Sequence, residues 1–223
     1  MRGAHPSEIA HGCPRVRHER DLSGDGGVTA KVPHMAEPAI FPLLDLEAAT
    51  AAAQVAGIPE VLARVNLFRT TLHHPPIGRI VGDVVDALVL HSVLDARLRE
   101  IAILRTGWRL GSVYEWSNHY GIGRRAGLTD EEIVAIRAGA SSNVLTAADQ
   151  CVIRLVDEVF DHVVVTPSTL AEARALLGDD RALLELVMIP GCYRTIGTVL
   201  LTFDIPLEDH VTAWPPDGRS PSS

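Results

Sequence analysis

Aromatic residues make up only 4% of this 223-residue chain, cysteine occurs three times, and positive charge is short: 20 Lys and Arg face 28 Asp and Glu, a formal charge of −8. Each scarcity excludes something. An acidic chain offers no broad positive field to phosphate backbones or anionic lipid, so neither nucleic acid nor a membrane surface is an expected partner. Cys13, Cys151 and Cys192 form no CxxC pair and cannot all be paired within one chain, so a disulfide framework is not expected and a reducing, cytoplasmic setting is. No apolar run approaches the roughly twenty residues that span a bilayer. The opening residues lack the hydrophobic stretch of a secretory signal. A Gly-rich phosphate loop, a serine nucleophile elbow and a zinc-ligand cluster are all missing, which leaves nucleotide-dependent chemistry unsupported.

What the chain does have is apolar mass, 47% of its residues, enough for one core. Residues 1–35 hold four of the ten histidines without a periodic apolar pattern and are expected to form a disordered arm. There His5, His11 and His18 are more simply solvated side chains than metal ligands. The closing run WPPDGRSPSS, residues 214–223, is expected to be a flexible tail, leaving 36–213 as a single domain. Within it strand signals are nearly absent and Ala, Leu and Arg dominate, so the body is expected to be an all-α bundle. One helix is predicted from Pro59 through PEVLARVNLFRTTL, with Val61, Leu62, Val65 and Leu67/Phe68 near one face. Pro75-Pro76 restart the chain, and Ile80, Val81, Val84, Val85, Leu88 and Val89 form a wide stripe on the next helix. Asp95 caps ARLREIAILRTGWRL, Gly111-Ser112 break it, and Gly127 ends the following helix. Thr129, Thr146, Thr166-Pro167 and Asp179-Asp180 mark four further starts, the last opening a segment that Pro190-Gly191 is expected to kink or interrupt. Val163–Val165 is expected to be a turn between helices.

The polar residues concentrate on the pair of helices between 95 and 127. Glu115 and His119, four apart, project from one face and can touch. A carboxylate beside an imidazole can raise its pKa and orient its proton, while burial moves the carboxylate's own pKa toward neutrality. Glu100 lies among Leu98, Ile101, Ile103 and Leu104, so a third carboxylate can face the same interior if the helices pack as a hairpin. The spacing alone equally fits an exposed helical pair worth a few tenths of a kcal/mol, with Glu100 tied to Arg97 or Arg99.

The run Arg99–Arg105 (REIAILR), followed by Tyr114–His119 (YEWSNH) and Arg125–Ile133 (RAGLTDEEI), resembles the carboxymuconolactone decarboxylase family, which includes the alkyl hydroperoxidase D-like proteins. The signature covers about residues 95–140. The resemblance implies a helical bundle of that type in a ring-like homo-oligomer, trimer or hexamer, with sites near subunit boundaries. The peroxidase branch carries a CxxC pair where this chain has Ser112 and Glu115, so the thiolate chemistry of that motif is not available here. The decarboxylase branch needs neither metal nor organic cofactor and releases carbon dioxide from an unsaturated lactone.

The function this implies is a cofactor-independent lyase or isomerase acting on a small carboxylated lactone or related enolisable compound. Glu115 and His119 are the candidate proton-transfer pair, and Glu100 orients His119 or acts as a second acid. Arg97 or Arg105 are candidates for the substrate carboxylate, and Tyr114, Trp116 and Tyr193 for the pocket walls, against surface, interface or core roles for each. His73, His74 and His91 are expected to cap or to sit at interfaces. No metal is expected: helical two-metal sites pair Glu-x-x-His on two helices, and this chain offers Glu-x-x-x-His once. The alternatives are a peroxide reductase using Cys151 or Cys192, or a non-catalytic oligomeric ligand-binding protein.

Overall fold

The computed structural model describes residues 41–221, so the N-terminal arm, with His5, His11, His18 and Cys13, lies outside the described residues. Among the described residues every regular element is helical. The first, α1 (Leu46–Ala56), was not anticipated individually; Asp45 caps it and Ala49, Ala53 and Ala56 form its buried face. The single helix expected from Pro59 is instead two pieces, a 3-10 turn (Glu60–Arg64) and α2 (Asn66–Thr71), separated by Val65 in an extended conformation. Distant groups stabilise that break. The Asn66 N–H donates to Glu208 Oε1 (2.9 Å) and the Leu67 N–H to the Tyr114 hydroxyl (3.2 Å), satisfying amides that a continuous helix would have bonded internally.

Pro75 opens α3 (Pro75–Val85), which runs into a π-helical turn at Asp86–Leu90. Its stripe is only partly covered: Leu88 is buried, Val81, Val84, Val85 and Val89 are half-buried, and Ile80 is exposed. α4 (Ala96–Leu110) follows, its Asp95 carboxylate accepting the Arg97 and Leu98 amides, and Gly111 ends it in the left-handed conformation. Ser112 caps α5 (Val113–Arg125). α6 (Asp130–Ala138) and α7 (Ala147–His162) open with complete capping boxes, Thr129 with Glu132 and Thr146 with Asp149. Val163 turns the chain into α8 (Pro167–Leu177), and α9 (Asp180–Thr202) runs uninterrupted through Pro190. Packing of Leu186, Ile189 and Tyr193 into the core offsets the hydrogen bond a proline removes. By length and composition α9 is apolar enough to cross a membrane, contrary to the expectation that no such run exists, although those three residues are buried in the bundle.

α4 is the axis of the bundle. It packs against α5, α6, α7 and α9, so Ile101, Ala102, Ile103 and Leu104 are all completely buried. Two glycines set its distance from α5. A Cβ on Gly107 would lie 3.0 Å from the Glu115 Cβ, and one on Gly123 would lie 3.3 Å from Leu104 and 3.7 Å from the Glu100 Cβ. The closeness of this hairpin brings Glu100 within reach of α5.

The expected loose tail is instead fastened from Trp214 to Asp217. The Trp116 indole N–H donates to the Pro215 carbonyl (2.7 Å), the Trp214 N–H to Ser117 Oγ (3.0 Å), and Arg137 to both Pro215 O and the Asp217 carboxylate. The Arg137 guanidinium lies 4.9 Å and 4.8 Å from the ring centres of Trp108 and Trp116, and Trp214 meets Trp108 edge-on. Polar and proline-rich composition suggested a free end; the tryptophan cluster supplies the anchor that composition does not reveal.

Candidate active site

On the inner face of the α4–α5 hairpin three ionisable side chains stand in a row. Glu100, fully buried, places Oε2 2.7 Å from His119 Nδ1 and accepts from Arg99 Nε at 3.0 Å through its other oxygen. His119 Nε2 faces Glu115 Oε2 at 3.7 Å. Burial pushes the Glu100 carboxyl upward, but the charge and hydrogen bond of His119, together with Arg99, outweigh it and hold Glu100 below the ordinary carboxylate range. Burial likewise works against the imidazolium of His119, yet Glu100 and then Glu115 hold its pKa above the usual value. Glu115 has no such support. Burial raises its carboxyl to about 7, with His119 opposing and Glu100 adding to the rise. The arrangement has one fixed anion, one imidazole oriented by it, and one carboxyl able to change protonation near neutral pH.

Glu115 and His119 line a cavity of about 890 Å³ whose walls come from α2, the end of α3, α5, α9 and the chain from His210 to Gly218. Its apolar side includes Leu67, Phe68, Val85 and Val89. Tyr193 of α9 lines it too, with its ring edge-on to His119 at 5.3 Å, and its hydroxyl has no hydrogen-bond partner among the described residues. Tyr114 also lines it, but its hydroxyl is committed, donating to Glu208 Oε1 at 2.5 Å and accepting the Leu67 amide. Burial, reinforced by Glu208, holds that phenol's pKa well above its ordinary value.

Three of the sequence candidates are placed elsewhere. Arg97 does not reach the cavity: its guanidinium joins Asp149 and Glu132, the third residues of α7 and α6, and so bridges two capping boxes. Arg105 forks onto Asp157 (2.8 and 3.0 Å) and donates to the Ile136 and Arg137 carbonyls at the end of α6. Both arginines are structural ties between helices. Trp116 is completely buried under the fastened tail and faces core. None of the histidines 73, 74 and 91 lines the cavity; His73 bonds the Pro42 carbonyl, His74 precedes α3, and His91 pairs with Asp86.

Asn118, one of the polar residues concentrated on the α4–α5 pair, lines the cavity, and so do Arg125 and His210, which were not anticipated. A signal for Arg125 was present. Tyr114, Asn118, Gly121 and Arg125 follow one another at spacings of four, three and four, which puts them on one helical face. His210 carries no comparable local pattern. Cys151 is buried, Cys192 half-buried, neither lines the cavity, and burial raises both thiols above their ordinary value. Among the described residues no group of three or more His, Cys, Asp or Glu side chains is arranged to hold a metal ion.

Residues 75–158 match the carboxymuconolactone decarboxylase family, a span that runs from α3 into α7 and includes Glu100, Glu115 and His119. A crystal structure described as the alkylhydroperoxidase AhpD core, an uncharacterized peroxidase-related protein from Ralstonia eutropha JMP134, superposes with a TM-score of 0.66. It is 18% identical, and the alignment covers 78% of this chain and 95% of that one, a likeness of fold. A search of curated proteins finds no match.

Proposed function

We propose, for a chain whose residues 75–158 match the carboxymuconolactone decarboxylase family, that it is a cofactor-independent lyase or isomerase moving protons to and from carbon in a small carboxylated lactone or related enolisable compound. The observation that carries this reading is the Glu115 carboxyl: near-neutral in pKa, facing the cavity, and backed by an imidazole that Glu100 orients. In a decarboxylation the bond to the carboxylate carbon breaks, its electron pair passes into the conjugated carbonyl, and carbon dioxide leaves. The resulting dienolate oxygen is met by the free Tyr193 hydroxyl. The neutral Glu115 carboxyl then protonates carbon and recovers its proton from the His119 imidazolium, which solvent replenishes. In an isomerisation the ionised Glu115 first removes the proton that it later returns. Nothing thiol-dependent enters, in keeping with the buried Cys151 and half-buried Cys192, which both stand off the cavity.

Exchange of the ring C–H of γ-lactone carboxylates with D2O, followed by NMR, tests the reading. Glu115→Gln and His119→Ala are expected to slow exchange by about 10²- to 10⁴-fold, the range of general acid–base contributions, while helical circular dichroism is retained. Exchange at the wild-type rate in both variants would overturn it. Alkylation of the thiols is expected to leave exchange intact; its loss would favour the peroxide-reductase reading instead.

A further inference from the structure

On the lyase or isomerase reading, the substrate's anionic end is not received by Arg97 or Arg105, since both are held in interhelical ion pairs away from the cavity. We infer that Arg125, folded back over Gly121 on α5, holds the substrate carboxylate at the cavity mouth. Among the described residues Arg125 is the sole arginine lining the cavity. It is exposed and has no hydrogen-bond or ion-pair partner among the described residues. The neighbouring Arg124 is differently placed: it donates to the Leu128 carbonyl and pairs with Asp130.

The Arg125 side chain is directed back over residue 121. Its Nη1 lies 3.6 Å from the point a Gly121 Cβ would occupy, one helical turn toward the N-terminus, as side chains on a helix lean. Within 4 Å of that point no other non-local atom of the described residues is found. A glycine in mid-helix is unfavourable for the helix, and here it leaves open space beside a free guanidinium. Residue 121 is six positions beyond Glu115, so an anion seated there lies roughly 9 Å along the helix axis from the proton-transferring residue. The anion held there is therefore a carboxylate that the reaction retains, displaced from the reacting carbon by about the length of a substituted lactone, and not the one lost as carbon dioxide. Planar, two-pronged hydrogen bonding to a carboxylate is what a guanidinium does better than an ammonium.

The test uses the full chain with three probes, 5-oxotetrahydrofuran-2-carboxylate, -2-acetate and -2-propanoate, each beside its methyl ester, and reads dissociation constants by titration calorimetry. For the probe that best spans the site, wild type is expected to prefer acid over ester by about tenfold, the low end for a charged hydrogen bond at a partly solvated position. Arg125→Gln collapses that ratio to about one, Arg125→Glu inverts it, and Arg125→Lys keeps only part of it. Retention of the full preference in Arg125→Gln, or its absence in wild type for all three probes, overturns the inference. The deuterium-exchange assay separates the two readings. Loss of exchange in Glu115→Gln with an unmoved charge ratio in Arg125→Gln removes the anchor and keeps the chemistry. A collapsed ratio in Arg125→Gln with normal exchange in Glu115→Gln keeps the anchor and removes the chemistry.

Discussion

α4 buries charge on two of its sides, and the two sides differ in what faces the carboxylates. Toward α6 and α7, Arg97 and Arg105 meet Glu132, Asp149 and Asp157. Toward α5, Glu100 meets His119, with Glu115 beyond. A guanidinium keeps its proton throughout the useful pH range, and the Asp149 and Glu132 carboxylates raise the Arg97 pKa further, so the first set has one protonation state and serves only to tie helices together. An imidazole can give its proton up, so the second set can change state without unfolding the hairpin. Burial and short contacts are common to both; a partner that titrates distinguishes a candidate active site from a brace.

The largest effect is expected from cutting the brace. Arg105→Ala removes a fork onto Asp157 and the guanidinium donor to the Ile136 and Arg137 carbonyls at the end of α6, of which Ile136 keeps the Gly139 amide. Breaking such a pair costs about 3 kcal/mol, moderated because Arg109 still bonds Asp157. Urea denaturation measures it, and Arg105→Lys is expected to restore only a fraction, since an ammonium cannot make the fork. A loss below about 1 kcal/mol in the alanine variant would make the two sides of α4 energetically alike and remove the contrast.

Next in size is a pH effect confined to the other side. The Glu115 carboxyl is raised from 4.5 to about 7 in the folded protein, so between those values the folded state binds more proton than the unfolded one. Its contribution to stability is therefore complete below pH 4.5 and lost as pH rises through 7. Glu115→Gln, permanently neutral, is expected to flatten this slope and to be more stable than wild type at pH 8 by up to about 3 kcal/mol. The same variant loses exchange activity, so stability and function move in opposite directions. Denaturation midpoints taken from pH 4 to 8 check it; parallel curves for wild type and variant would mean that Glu115 is solvated.

How far the chain could be understood before folding follows the range of each interaction. Asp95, Thr129, Thr146 and Asp179 bond amides two or three residues away, so the helix starts they mark were legible from composition alone. Glu115 and His119 share a face through backbone geometry, and the apolar neighbours of Glu100 marked it as inward-facing, while its meeting with His119 depends on the close approach at Gly107 and Gly123. The arginines were the failure. Arg97 and Arg105 each find an aspartate 52 residues further on, in a helix whose rotation against α4 no local pattern specifies. Val65 is a similar case: its extended conformation is supported by Glu208 and Tyr114, which bond the amides just after it. Arg125 repeats the spacing of Tyr114 and Asn118, so its place on their face of α5 was legible from backbone geometry.

The smallest effect concerns the segment that composition marked as loose. Asp217 pairs with Arg137 at 2.8 Å, and the pair is partly open to solvent, so Asp217→Asn is expected to cost only about 0.5 kcal/mol. Its value lies in where the change is seen. All three tryptophans of the chain gather around this attachment, Trp108 and Trp116 against the Arg137 guanidinium and Trp214 against Trp108. Tryptophan emission is therefore expected to respond to Asp217→Asn although global stability hardly moves, and iodide quenching to increase as residues 214–217 loosen. The Pro215 carbonyl would still hold both the Trp116 indole and Arg137, so the loosening is partial. Because Pro215, Pro216 and Gly218 belong to the cavity wall, the charge preference of the lactone probes should weaken alongside the spectral change. If emission is unaltered, the tail is fastened by its carbonyl and indole contacts alone, and the Asp217 ion pair adds nothing to the wall.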